Sequence, residues 1–398
     1  MNILYLHQYF HTPYQAGSTR SYWIAQELIK NGHKVTMLTM NSKIYTKTER
    51  VEIDGIDVIY LDVSYKGGNF WQRLKAFLKF VFKSIPVALR EKDVDFVIAT
   101  STPLTIGIPA LIMKWFKRKP YLFEVRDLWP EVPIQMGGLK NIFLIKMALF
   151  LEKIIYKNSM HIVALSPGMY DGVIDRKIPK NKVSMIPNMS KIDAFWQREK
   201  KVGLAENLGL KADTFKVVYF GSMSLANGMH YIIDAAKILK DEKNVEFMFL
   251  GRGSSEPELR ERCENENITN AKFLGSVPME ELSEIVNLCD VSLTTFQNIP
   301  ILATNSPNKL FDSLSAGKAI IVNSPGWTKD LAEENNCGYF VDPENPKDLA
   351  DKILHLKSNP QLCEEMGSNA RILAETTYDK SILCKKFADL VDSLPVNY

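Results

Sequence analysis

A chain of 398 residues is too long for one ordinary hydrophobic core, so two domains are expected. Its 46% hydrophobic and 24% charged residues suit a globular protein, and a net charge of +3 excludes the strong basic excess that nucleic-acid binding needs. Five scattered cysteines (Cys263, Cys289, Cys337, Cys363, Cys384) form no CxxC pair, which argues against a disulfide framework or a zinc site and fits a reducing cytosol. The opening MNILYLHQYF runs straight into a strand pattern, so no signal peptide is read. No run of about 18 uncharged apolar residues predicts a membrane span.

In chain order, residues 3–6 predict a strand, 19–31 an amphipathic helix closed by Gly32, and 34–39 the next strand. Further strands are expected at 96–99, 121–124, 161–164 and 183–186. The rhythm restarts with strands at 216–220, 245–250, 271–274, 291–294, 319–322 and 338–341, and a helix at 229–240. Strands alternating with helices imply parallel, Rossmann-like sheets, and the weakly periodic 187–201 reads as the linker between two α/β domains. Ligands bind such sheets outside the carboxyl ends of the strands.

Five stretches carry candidate chemistry. In the loop after the first strand, Gly17 precedes a helix, where backbone can approach an anion; a plain turn glycine is equally compatible, and no GxGxxG supports a dinucleotide. FEVRDLWPE (123–131) puts Glu124, Arg126 and Asp127 at a strand end. Its carboxylates suit orienting sugar hydroxyls or accepting a proton, against the plainer reading of a Glu124–Arg126 ion pair. The loop 221–228, with Gly221 and Ser222, and the loop Gly251-Arg252-Gly253 offer amides and a fixed charge to a phosphate. In SPNKLFDSLSAGK (306–318), Pro307 starts a helix on which Lys309 and Asp312 share a face. A lysine at a helix N-terminus opposes the dipole unless an anion offsets it, so a pyrophosphate beside Lys309 and a ribose diol on Asp312 are expected, against the plainer reading of a surface Lys309–Asp312 pair, which the setting after the 291–294 strand disfavours. Finally, 69–89 interleaves Trp71, Leu74, Phe77, Leu78, Val81, Phe82 and Ile85 with Arg73, Lys75, Lys79 and Lys83. It is either an interfacial membrane helix or a core helix, and Pro86 is expected to end or kink it.

With these motifs the whole chain resembles family 4 glycosyltransferases of the GT-B fold, and more narrowly bacterial O-antigen and capsule transferases of the L-fucosamine type. The landmarks are Gly17, ATSTPLTIGIPA (99–110), FEVRDLWPE, SMIPNM (184–189) and SPNKLFDSLSAGKAII (306–321). The resemblance implies an α/β protein of two Rossmann-like domains facing across a cleft: an acceptor domain over 1–190 with a crossover helix at 378–398, and a donor domain over 201–377. It implies retaining, metal-independent transfer from a UDP-sugar, with no other cofactor, of an N-acetylated amino sugar to a polyprenyl-diphosphate-linked saccharide. The enzyme would be cytoplasmic, peripheral at the anionic inner face of the cell membrane, with no nucleic-acid partner.

By the same resemblance Asp312 holds the ribose and Lys309 the diphosphate. Gly17, Gly221, Ser222, Arg252, Ser276, Val277, Asn308 and Leu310 line the nucleotide sugar, and Glu124, Arg126, Asp127 and Lys309 are the catalytic candidates. Arg20 goes with Trp71, Arg73, Lys75, Lys79 and Lys83 on the acceptor and membrane side. The chain departs from the family pattern at Thr304 (a glutamate there), at Ser222 and Asn227 (an arginine and a lysine), and around Arg126 (a histidine). Departure of the nucleoside diphosphate is expected to be stabilised by Lys309, Arg252 and loop amides, with domain closure excluding water and no enzyme nucleophile. A UDP-sugar 2-epimerase of the same architecture and a non-catalytic sugar-nucleotide-binding scaffold are the alternatives.

Overall fold

The computed structural model describes residues 1–15, 17–40, 47–63, 70–211 and 213–396. The chain divides into two compact units, Met1–Pro187 with Ser381–Tyr398, and Asn188–Lys380.

The first unit holds β1 (Asn2–Leu6), β2 (Lys34–Met40), β3 (Glu49–Ile53), β4 (Ile56–Leu61), β5 (Phe96–Thr100), β6 (Tyr121–Val125), β7 (His161–Ala164) and β8 (Val183–Met185). They lie in the order β3-β4-β2-β1-β5-β6-β7-β8, parallel except for the antiparallel β3–β4 pair. β1, β5 and β6 are apolar along nearly their whole length because helices cover both sheet faces. The chain leaves β1 between β2 and β5, so the sheet's switch point lies just past Leu6. The β3–β4 hairpin is absent from the sequence-based strands. Its turn, Asp54-Gly55, has both residues at positive φ (50° and 80°), the backbone that an Asp-Gly pair favours in a two-residue hairpin. The closing helix Lys380–Ser393 is held by Asp392, which bonds His33 Nε2 at 2.7 Å and Asn31 Nδ2 at 2.9 Å.

The second unit holds β9 (Phe215–Phe220), β10 (Val245–Leu250), β11 (Ala271–Gly275), β12 (Val291–Thr294), β13 (Ala319–Val322) and β14 (Gly338–Phe340), all parallel, in the order β11-β10-β9-β12-β13-β14. One sheet face buries Val217, Phe247 and Val291 against Ile232 and Ile353, and the other buries Val218, Met248 and Phe220 against Ile285. β9 is the switch-point strand here, between β10 and β12. Residues 188–201 are packed into this unit: Phe195 is buried and stacks on Phe220 at 6.2 Å. Polar spacing had hidden that anchor.

The basic helix spans Phe70–Arg90 and continues through Pro86, which removes a single N–H donor without ending it. Phe77, Phe80 and Val81 are buried in the core, while Leu78 and Phe82 are exposed. Lys83 pairs with Asp62 at 2.5 Å and Lys79 approaches it at 4.0 Å, and the Lys83 ammonium holds the Asp62 carboxyl below its usual range. Phe77 and Val81 of the stripe therefore serve the core, Leu74 and Ile85 are half-buried, and Leu78 and Phe82 face outward. Lys75 is exposed, and the Trp71 and Arg73 side chains lie outside the described residues.

Candidate functional site

In the second unit, the helix Asn308–Ser315 follows a short turn (Pro300–Thr304) beyond β12. Leu310, Phe311 and Leu314 bury its apolar stripe, and three serines fix its polar side. Ser190 Oγ donates to the Phe311 carbonyl (3.0 Å), Ser313 Oγ to the Lys309 carbonyl (2.6 Å), and Ser313 and Ser292 share a hydroxyl bond (2.6 Å). Pro307 is the cap residue, one position earlier than the sequence suggested, and no side chain caps the helix. Its first amides thus point outward without a protein acceptor of that kind, an arrangement suited to an anion.

Lys309 projects from this first turn. Its Nζ donates to Tyr219 Oη at 2.8 Å and Asn227 Oδ1 at 2.9 Å, and lies 4.1 Å and 5.6 Å from the centroids of the Tyr219 and Phe296 rings. These partners are neutral, and among the described residues no carboxylate pairs with it. Loss of water pushes the ammonium down to about 7. Asp312 is 6% exposed, and burial raises its carboxyl despite the nearby Lys191 ammonium. Lys191 Nζ stands 3.1 Å from Asp312 Oδ1 but off the line of a hydrogen bond, so that oxygen retains accepting capacity. Lys309 and Asp312 are therefore not each other's partners: each waits beside a different group.

Other expected nucleotide contacts fare differently. The Gly221 amide donates to the Leu250 carbonyl (2.9 Å) and the Gly251 amide to the Gly275 carbonyl (2.7 Å), so neither loop amide is available to a phosphate. Their glycines serve backbone packing instead. A Cβ on Gly251 would stand 2.0 Å from the Gly221 carbonyl oxygen, and one on Gly253 would stand 2.1 Å from that of Met223. Leu310 has its side chain in the core and its amide on the Pro307 carbonyl at 3.1 Å, leaving nothing to offer a ligand. The Ser222 carbonyl accepts from Tyr219 Oη (2.7 Å) and Asn227 Nδ2 (2.9 Å), so Ser222 orients the two residues that hold Lys309. Arg252 is largely exposed, 3.8 Å from Glu256; Ser276 is exposed, while Val277 packs against the core. Thr304, standing where the family carries a glutamate, donates its hydroxyl to the Ile301 carbonyl at 2.7 Å.

In the first unit a second cluster gathers past the ends of β1, β5 and β6. Arg126 Nη1 lies 3.1 Å from His7 Nε2, and Nη2 donates to Ser18 Oγ at 2.8 Å. Arginine only donates, so His7 must present the Nε2 lone pair and carry its proton on Nδ1. Burial and the Arg126 charge hold that imidazole well below its ordinary pKa, and they lower His11 as well. Asp127 Oδ2 accepts from Thr102 Oγ1 at 2.8 Å, and burial raises its carboxyl. Gly17 (φ +145°) is required by His11: an added Cβ would meet the imidazole at 2.4 Å.

Glu124 and Arg20 do not belong to this cluster. Glu124 is fully buried, accepting Arg20 Nε at 2.8 Å and Thr100 Oγ1 at 2.9 Å, and its ion partner is Arg20 in place of Arg126. Arg20 is 2% exposed and also donates to the Ile186 and Pro187 carbonyls. With every group satisfied inside the protein, Arg20 cannot face an acceptor or a membrane, and Glu124 cannot meet a substrate. Sequence reasoning missed His7, Thr102, Tyr219, Asn227 and Lys191. A histidine immediately past the switch-point strand was a usable signal for the first. For Asn227 the signal was its very departure from the family's lysine. Nothing local marked Lys191.

Among the described residues no helix is long and apolar enough to cross a membrane, and no three His, Cys, Asp or Glu side chains gather as metal ligands. The family described as "Glycosyl transferases group 1" matches residues 204–373, and the "Glycosyl transferase 4-like domain" matches residues 16–189. An uncharacterised glycosyltransferase of Methanocaldococcus jannaschii is 22% identical over 87% of this chain and 86% of its own. The capsular polysaccharide biosynthesis glycosyltransferase CapM of Staphylococcus aureus is 22% identical over 80% and 81%. The crystal structure of Anabaena HepE in complex with UDP-glucose superposes with a TM-score of 0.73 at 18% identity, covering 99% of this chain and 100% of that one.

Proposed function

This chain is a family 4-type glycosyltransferase of the GT-B fold, and from that premise we propose that its second unit binds a UDP-sugar through Lys309 and Asp312. The observation that carries the reading is the Lys309 ammonium, dehydrated among neutral partners at an uncapped helix start. A diphosphate there supplies the missing anion, and as the sugar departs the same ammonium and the first helical amides stabilise the developing charge. Asp312 Oδ1 accepts a ribose hydroxyl. Exposed Arg252 and the 276–277 backbone remain candidates for the outer phosphate and base. No cofactor beyond the donor is invoked.

In the first unit, Arg126 is the candidate hydrogen-bond donor to the transferred sugar or acceptor. Asp127, with its carboxyl raised by burial, is the candidate acceptor for the attacking hydroxyl's proton. Transfer is read as retaining. The acceptor is a polyprenyl-diphosphate-linked saccharide and the sugar an N-acetylated amino sugar, in bacterial surface-polysaccharide assembly at the inner face of the cell membrane. The capsular relative supports the assembly reading, and the motifs 123–131 and 306–318 support the sugar class.

The test is a thermal-shift screen of UDP- and GDP-sugars followed by transfer to a lipid-linked acceptor. UDP-sugars are expected to stabilise the protein. Asp312→Ala is expected to weaken UDP binding by about ten- to a hundredfold, the worth of hydrogen bonds to a charged group. Unchanged binding by that variant would sink the assignment.

A further inference from the structure

The helix Ile142–Asn158 presents a face that water does not explain. At about 100° per residue, Ile142, Phe143, Lys146, Met147, Phe150, Lys153 and Lys157 fall on one arc, and all seven are exposed. Four are apolar, three are lysines, and none is acidic or neutral polar. Phe143 is 67% exposed, Phe150 65% and Met147 53%. A solvated helix face normally carries charged and polar residues, with its apolar stripe turned to the core.

This helix is nevertheless firmly docked by its other side. Glu152, Ile155 and Tyr156 are buried, and Glu152 receives Arg176 Nε at 2.8 Å. Ile155 presses so close to Gly107 that a Cβ there would meet Ile155 Cδ1 at 2.4 Å. The Asn141 side chain caps the first turn, accepting from the Phe143 and Leu144 amides at 2.9 and 3.2 Å. The apolar face therefore belongs to an ordered element.

The exposed face itself carries charge of one sign. No acidic residue occurs between Glu131 and Glu152, nor between Asp95 and Glu124. The helix Gly107–Lys117 reaches the far end of the same helix, where the Lys114 ammonium bonds the Asn158 carbonyl. Beyond that contact Trp115 and Phe116 are exposed, with Lys117 and Arg118 beside them.

We propose that this face, Phe143, Met147 and Phe150 with Lys146, Lys153 and Lys157, is where the protein docks onto an anionic lipid bilayer. The apolar side chains enter the interface and the lysines lie at the level of the lipid phosphates. A second copy fits poorly, because a two-fold contact through this face brings two like-charged three-lysine patches together with no acid between them. The inference replaces the Phe70–Arg90 helix as the membrane element, since that helix commits Phe77, Phe80 and Val81 to the core and has Lys79 and Lys83 beside Asp62. It deepens the reading of a membrane-borne acceptor, and its test is separate from the transfer assay.

The whole chain is floated with vesicles of phosphatidylcholine alone or mixed with phosphatidylglycerol. Wild type is expected to float with the mixed vesicles. Phe143→Ser/Met147→Ser/Phe150→Ser and, independently, Lys146→Glu/Lys153→Glu/Lys157→Glu are each expected to lower the bound fraction roughly tenfold or more, with thermal unfolding unchanged. Phe82→Ser is expected to float as wild type. Failure of wild type to bind, or equal flotation of the lysine variant, overturns the proposal. So does self-association that the serine variant abolishes while vesicle binding persists. Transfer to a short-chain, water-soluble acceptor is expected to survive in both variants; its absence in wild type counts against the proposed function and leaves the flotation result standing.

Discussion

The two units each place a basic side chain near a sheet's switch point, buried for Arg20 and half-buried for Lys309, and the two are treated in opposite ways. Arg20 is enclosed with a threonine-braced carboxylate and two backbone carbonyls, so that each of its three nitrogens has a partner in the protein. Lys309 is held by a phenol and an amide oxygen, with aromatic faces alongside and no anion. A paired buried charge is architecture: removing one member strands the other. An unpaired one, depressed toward neutrality, is held ready for something that is not part of the chain. Charge type and helix position do not separate the two, because both are basic residues at the start of a helix. The partner list separates them.

That contrast is breakable. Glu124→Ala leaves the Arg20 guanidinium buried without its carboxylate and is expected to lose roughly 3–5 kcal/mol of stability. The measurement is the midpoint of urea unfolding, and an unmoved midpoint would erase the distinction from the Arg20 side. Lys309→Met is expected to act in the reverse sense. UDP affinity falls by about ten- to a hundredfold, as for a lost charged hydrogen bond, while the nucleotide-free melting temperature rises by roughly 2–4 °C as an unneutralised ammonium is removed. Calorimetry reads both, and a fall in melting temperature instead would make Lys309 structural.

The smallest effect is in pH. Because the free-protein Lys309 titrates at about 7 and an anion raises that value, nucleotide binding takes up a proton above pH 7. Affinity is therefore expected to be level just below pH 7 and to fall above it, by at most about tenfold per pH unit, with the slope absent in Lys309→Met.

Much of the fold was legible because it is written in periodicity. The strands at 161–164, 245–250, 291–294 and 319–322 have the bounds that their apolar runs indicated. β3 escaped because Glu49, Arg50 and Glu52 leave it without an apolar run, while the apolar β4 was passed over although Asp54-Gly55 announced the turn between them. Around the candidate site, spacing brought out Lys309 and Asp312, since both lie on one helix. It was silent on Tyr219, Asn227 and Lys191, whose approach to that helix depends on sheet order. Local sequence also misled at Glu124 and Arg126: two charges two residues apart suggested a pair, whereas Glu124 bonds Arg20, 104 positions away, and Arg126, one residue past the end of β6, bonds His7 and Ser18. The glycine loops 221–228 and 251–253 looked like phosphate cradles for the same reason, because composition carries no record of where an amide is already directed.

Those glycines carry one more consequence. Gly251 and Gly253 stand where an added Cβ would lie 2.0 and 2.1 Å from a carbonyl oxygen, and Gly338 at 1.9 Å from that of Ile320. Every missense change of a glycine codon introduces at least that carbon. At these three positions the genetic code offers no conservative neighbour, so mutational drift through them is closed however much time is allowed. Arg252, exposed between two such positions, meets no such steric bar. The loop therefore keeps its course across descendants while the one side chain it displays can be retuned.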